Sequence, residues 1–156
     1  MKPLNEAIAN HAFSRGMKPE HLAILAEGAK TAQFEAGEKI IREGQPANQF
    51  YLIESGRIAL EARQRANATV LVQTLQGGDV LGWSWLFPPF VWHFQARALE
   101  PTTAIALNGA RLLVSADKNP EFGCELMKRV ARVVIGRLQA TRRQLLEQQI
   151  DSALDG

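Results

Sequence analysis

Apolar and polar residues alternate in three short stretches of the chain: IALEA at 58–62, VLVQTL at 70–75 and FQARA at 94–98. A period of two buries one face of a strand and wets the other. Gly37, Gly44, Gly56 and the pair Gly77 and Gly78 punctuate this region at close, fairly even spacing. That pattern predicts antiparallel strands in a sandwich or barrel. TTAIAL at 102–107 supplies a further strand, ended by Asn108 and Gly109. On either side the period changes. Leu4, Ile8 and Ala12 share one helical face, and Leu22, Leu25, Ala26 and Ala29 share another, which predicts helices over 4–13 and 19–30. Asn119 as cap, Pro120 at the first helical position and Glu121 at the positive end predict a long helix running toward Ile150. Along it Met127, Ala131, Val134, Leu138, Thr141, Leu145 and Gln148 fall at alternating steps of four and three, the seam of a helix that packs against another helix. Alone, such a helix would leave its apolar stripe wet, so a homodimer is expected, with packing on its own barrel as the alternative.

The chain has 156 residues, a length that one domain accommodates. The expected division is N-terminal helices over 1–33, a β core over 34–108 and C-terminal helices over 109–151. Hydrophobic residues make up 46% and charged residues 22%, and the net charge is +2, so there is no overall footprint for nucleic acid. Asn5, Glu6 and Asn10 interrupt any signal-peptide core, and no apolar run approaches about 20 residues, so a cytoplasmic location and no membrane contact are expected. The single cysteine, Cys124, excludes an internal disulfide, and its place after Gly123 predicts a buried small residue. The three histidines lie far apart without metal-site spacing. A cupin-type enzyme would need a histidine and carboxylate triad in the barrel, yet only His93 lies in the β region, so no catalytic residue and no metal are expected. His93 itself reads as a hydrogen-bonded core or rim residue.

The stretch GWSWLFPPFVWHF at 82–94 holds all three tryptophans together with Phe87, Phe90 and Phe94. A loop this apolar must enter the core or line a cavity, because large exposed apolar patches are uncommon on soluble monomers.

FEAGEKIIREGQPANQFYLIESGRIALEA, followed by LQGGDVLGWSWLF, resembles the cyclic nucleotide-binding domain of the catabolite activator and fumarate-nitrate regulator type. The ordered pattern is an aromatic, a glycine and an isoleucine, then EGQ, YLI, SG, an alternating strand, and GD with a glycine three residues on. It covers residues 34–86. NPEF and GRLQATRRQL resemble the start and middle of that family's dimer helix, which extends the likeness over roughly the whole chain. The resemblance implies a mainly β fold with flanking helices: a double-stranded β-helix, or jelly-roll-like β-roll, with N-terminal helices and a long C-terminal helix. Gly44, Gly56 and Asp79 read as turn residues. The implied role is a regulatory module that senses a small ligand and signals through a protein partner; a ligand-free structural dimer is the alternative.

In that family a cassette glutamate binds the ribose hydroxyl and a cassette arginine binds the cyclic phosphate. With Gly82 on the cassette glycine, the glutamate position is Trp83. Counting back from Ala96, the arginine position is Phe90 and its small neighbour is Val91. Both charged anchors are absent. Losing one partner of a buried charge pair costs about 2–5 kcal/mol, whereas stacking a base on an aromatic ring returns about 1–3 kcal/mol. Ordinary cyclic nucleotide binding is therefore not expected.

The candidate ligand residues are Gly82, Trp83, Ser84, Trp85, Phe90, Val91 and Trp92, with Arg137 and Thr141 from the long helix. A short helix over 83–87 would turn free N–H groups toward the old phosphate position. Arg137 falls in the apolar arc of Val130, Val133, Val134 and Thr141, while Lys128, Arg129, Arg132, Arg142 and Arg143 share the opposite, solvated arc. An inward arginine covers the ring of Trp83 or Trp85, meets a ligand anion, or carries its head out to water. Thr141 lies where the family presents a threonine to the purine; filling the helix seam is the alternative. No cofactor is expected, and a cyclic nucleotide or another small ligand is the candidate occupant. The aromatic run then either builds an apolar pocket for a different ligand or plugs the old one. Six residues follow Ile150, which leaves no room for a helix-turn-helix, so DNA binding by this chain is not expected.

Overall fold

The computed structural model describes residues 3–65 and 68–155. Eight strands form two four-stranded antiparallel sheets. The first has the order β1 (Lys30–Phe34), β8 (Thr102–Asn108), β3 (Gln49–Ser55), β6 (Val80–Leu81). The second has the order β2 (Lys39–Ile41), β7 (Gln95–Ala98), β4 (Arg57–Arg65), β5 (Ala68–Gln76). Apart from the β4–β5 hairpin, which stays within the second sheet, consecutive strands alternate between sheets, the winding of a double-stranded β-helix. Leu52, Ile58, Leu60, Ile105 and Leu107 belong to the common core between them. Helices α1 (Leu4–Asn10) and α2 (Pro19–Ala26) precede the roll, and α3 (Gly109–Lys118) and α4 (Pro120–Asp155) follow it. Ile8, Leu25, Leu112, Phe122 and Leu126 carry the core out into the helices.

The turn chemistry acts as its residue types dictate. Gly44 and Gly56 take φ of +86° and +103°, and a Cβ at Gly56 would run into Thr102. Asp79 Oδ2 accepts the Gln76 N–H at 2.9 Å. Asn119 caps α4 through Oδ1, which accepts the Phe122 N–H at 3.2 Å. Asn119→Ala is expected to lower stability by about 1 kcal/mol in urea unfolding.

Four expectations change. First, α1 stops at Asn10 rather than 13, because His11 leaves the helix to serve both neighbours. Its Nδ1 accepts the Phe13 N–H at 3.1 Å, and its Nε2–H donates to Ile53 O at 2.9 Å. Second, α2 ends at Ala26, and the chain is already a strand at Lys30, before the boundary expected at 34. Pairing of Lys30 to Phe34 with Ala106 to Thr102 overrides the local helical pattern. Third, Cys124 is exposed. Phe122 and Gly123 take the inward positions; a Cβ on Gly123 would lie 2.9 Å from Ala116 O, so Cys124 falls outside. Fourth, Arg129 does not share the solvated arc. It ion-pairs with Glu125 at 2.6 Å and donates to Phe13 O at 2.7 Å and Arg15 O at 3.0 Å, tying α4 to the segment after α1.

The His11 geometry requires a neutral ring, since protonation would set a second N–H against that of Phe13. Burial lowers its pKa below the ordinary value; Arg15 adds to this, while the Ile53 carbonyl, Glu54 and Asp79 oppose it. The unfolded chain therefore binds this proton more readily. The stabilising contribution is complete above the unfolded value near about 6.5 and declines as pH falls through it toward the folded value. Urea midpoints should drop between about pH 8 and about pH 5, and His11→Gln should flatten that dependence.

Candidate ligand-binding site

The aromatic stretch divides into two parts with different fates. Gly82 is buried at φ +89°, and a Cβ there would run into the Trp92 indole. Trp85 is 1% exposed, its Nε1–H donates to Gly82 O at 3.1 Å, and its ring packs 5.3 Å from Phe50. Gly109 gives it room, since a Cβ there would sit 2.8 Å from Trp85 Cγ. Ser84, Leu86 and Trp92 are buried as well. Trp85 and Trp92 therefore belong to the core cluster and line no part of the cavity described below. Ser84 and Gly82 do not line it either. Residues Ser84–Leu86 form a single 3-10 turn in place of the expected helix over 83–87, with the Leu86 N–H already bonded to Trp83 O.

Phe90 and Val91 also fall outside the cavity. This segment straps the turn after β2: Phe90 O accepts the Ala47 N–H at 2.7 Å, Val91 bridges to Pro46, and Trp92 exchanges backbone bonds with Gly44 and Gln45. Phe90 is 40% exposed. The strap consumes residues that a plain count from Ala96 assigns to the cassette, so the chain returns to the cavity only at His93 and Phe94.

What remains is a cavity of about 350 Å³ between the second sheet and α4. Leu60 and Ala62, two apart on one face of β4, form its floor together with Val72 and Gln73 of β5. Trp83, His93 and Phe94 form one wall, and Val134, Arg137, Leu138 and Thr141 of α4 the other. Of the candidate residues, then, Trp83, Arg137 and Thr141 come together. His93 stands exposed at the rim. Phe94 and the β4 and β5 residues were readable only as strand positions, since nothing local marks which strand faces the helix.

Arg137 is the electrostatic centre of this wall. Its guanidinium lies 4.7 Å from the Trp83 ring centroid, a cation–π contact. Nη2 donates to Val80 O, directly before the cassette, while Gln73 Nε2 donates to the Arg137 carbonyl at 3.1 Å. Nη1 is buried and has no hydrogen-bond partner. Burial lowers the Arg137 pKa to about 10, with Asp79 opposing, so the group stays charged near neutrality. Among the described residues, no carboxylate lines this cavity. A cation held this way, on an aromatic face and short of acceptors, is suited to receive an anionic oxygen.

The family model for the cyclic nucleotide-binding domain matches residues 31–119. The chain belongs to this family. A CRP-like cAMP-activated global transcriptional regulator of Mycobacterium tuberculosis is 23% identical over 144 residues, which are 92% of this chain and 62% of the regulator. The chain thus spans less than two thirds of that relative's length. A cAMP-dependent protein kinase regulatory subunit of Schizosaccharomyces pombe is 41% identical over 58 residues, 37% of this chain and 13% of the subunit. Among solved structures, a candidate cyclic nucleotide-binding protein from Geobacter metallireducens superposes with a TM-score of 0.78 at 28% identity, covering 88% of this chain and 99% of that one. The eight-stranded roll with its long C-terminal helix is the fold of these relatives. The chain is accordingly a domain of the cyclic nucleotide-binding type.

Proposed function

We propose that this domain senses a small ligand in the Trp83–Arg137 cavity by contacts other than those that hold a cyclic nucleotide, and that it is a non-enzymatic, cytoplasmic module signalling to a protein partner. One observation carries the reading: the cavity is walled by Trp83, Phe94 and a buried, partly unpartnered Arg137, with no carboxylate among the described residues for a ribose hydroxyl. A ligand with an apolar or aromatic body and one anionic group matches that wall. No described helix is long and apolar enough to cross a membrane. Binding would change how Arg137 holds Val80 O and so how α4 sits on the cassette, a population shift along the long helix.

The homodimer rests on α4. Met127, Leu138 and Leu145 of the seam are 40%, 66% and 57% exposed in the single chain, an apolar row that a second copy would cover. Leu145→Asp is expected to yield monomers in sedimentation while the melting temperature of the roll changes little.

A thermal-shift panel of cyclic AMP, cyclic GMP and aromatic or aliphatic carboxylates tests the ligand. At a hundred times its dissociation constant a ligand adds about 2.7 kcal/mol. The expected hit is a carboxylate and neither nucleotide; tight stoichiometric uptake of cyclic AMP overturns the reading. Silence from every compound would favour a structural dimer module, a role consistent with Arg137 lashing α4 to the cassette without any ligand.

A further inference from the structure

A second cavity, of about 490 Å³, lies against the same Arg137 and Gln73 on the side toward the N-terminal segment. Phe13, Thr74, Leu75 and the Gly78–Asp79 turn close it on one side. On the other side α4 presents Arg132, Gly136, Ala140 and Gln144, a row at steps of four along one helical face.

Two features of this row are unexplained by the fold. The first is Gly136. Glycine in a helix interior destabilises relative to alanine, so it needs a reason. Packing does not provide one, because nothing lies within 4 Å of the place a Cβ would occupy. Nor does the dimer seam, since Gly136 stands about 200° around the helix from Val134. The second is charge. Arg132 has no hydrogen bond or ion pair among the described residues, and Arg137 Nη1 is buried without a partner. Asp79 faces the same space, but its Oδ2 already accepts the Gln76 N–H, and one carboxylate stands against two guanidiniums.

We propose that this cavity is a second binding site, for a small anion bearing a phosphate or carboxylate group, with Arg132 and Arg137 as its cationic residues and the space over Gly136 and Ala140 as its seat. Gln144 and Thr74 offer hydrogen bonds to hydroxyl or carbonyl groups beside the anionic end. Arg137 and Gln73 also wall the aromatic cavity, so the two sites share a partition. An anion drawn to Arg137 would act on the same guanidinium whose Nη2 holds Val80 O. The second site shares the Arg137 guanidinium with the aromatic cavity, and Arg132 and Gly136, which line the second cavity alone, tell the two sites apart.

Calorimetry of the full chain with pyrophosphate and with citrate tests it, the two probes separating phosphate from carboxylate chemistry. One of them should bind at up to millimolar concentration. Arg132→Gln should weaken that binding about tenfold or more, as expected for loss of a charge-assisted contact. Gly136→Leu should abolish it by filling the seat, while its better helix propensity keeps the chain folded, as circular dichroism would verify. Thr141→Leu, which narrows only the aromatic cavity, should leave it unchanged. Binding of neither probe overturns the proposal. So does binding that survives both Arg132→Gln and Gly136→Leu, or that is lost with Thr141→Leu.

Discussion

Trp85→Ala is expected to cost about 3–5 kcal/mol of stability, whereas Trp83→Ala, two residues away, should cost well under half of that. The indole of Trp85 is fully enclosed by Phe50 and Gly109 and bonded to Gly82 O, so its removal leaves a cavity that neighbouring backbone cannot collapse to fill. Trp83 already borders empty space, and its loss forfeits one partly buried face and the contact with Arg137. Against a typical stability of about 5–15 kcal/mol, the first substitution brings a domain of this size close to unfolding, and the second leaves it folded. Urea midpoints for the two variants measure the difference directly. Equal costs would mean that Trp83 is core as well, and that the aromatic run plugs the roll.

That difference between tryptophans two residues apart marks how far the sequence could be read. Local chemistry was legible: Gly44 and Gly56 at turns that need positive φ, Asp79 closing its own turn, and Asn119 and Pro120 opening the last helix. Each acts through neighbours a few residues away. The inward Arg137 was legible too, because a helix fixes angular position over many residues. What failed depends on partners distant in sequence. The strand at Lys30 exists because β8 pairs with it, and Arg129 turns inward because the carbonyls of Phe13 and Arg15 wait there. Which residues of the aromatic stretch border the cavity was hidden for the same reason. Phe90, Val91 and Trp92 bond to the turn at residues 45–47, a contact with no periodicity to announce it, and this moves the wall of the cavity on to His93 and Phe94.

Arg137→Met separates structure from recognition at the one charged group in the aromatic cavity's inner wall. In the free protein, methionine loses the bond to Val80 O and the stacking on Trp83, but it also removes a buried cation with an unpartnered N–H. These effects oppose each other, so stability should move by no more than about 1 kcal/mol. In the complex the losses are not offset, because the ligand's anionic group would be left desolvated in an apolar cavity. A ligand identified by thermal shift should therefore bind the variant with an affinity lower by about 2–5 kcal/mol, at least about thirtyfold. The pH dependence follows from the depressed pKa near 10. The unfolded chain holds this proton more tightly than the free folded protein, so the group's own contribution to stability rises as pH climbs through that value. Ligand binding runs the opposite way: it draws on the charged guanidinium and should fade above about pH 10 in the unsubstituted protein, with no such fade in Arg137→Met. If affinity is unchanged by the substitution and flat across that range, the anion is not held by Arg137, and the guanidinium serves only to fasten α4 to the cassette.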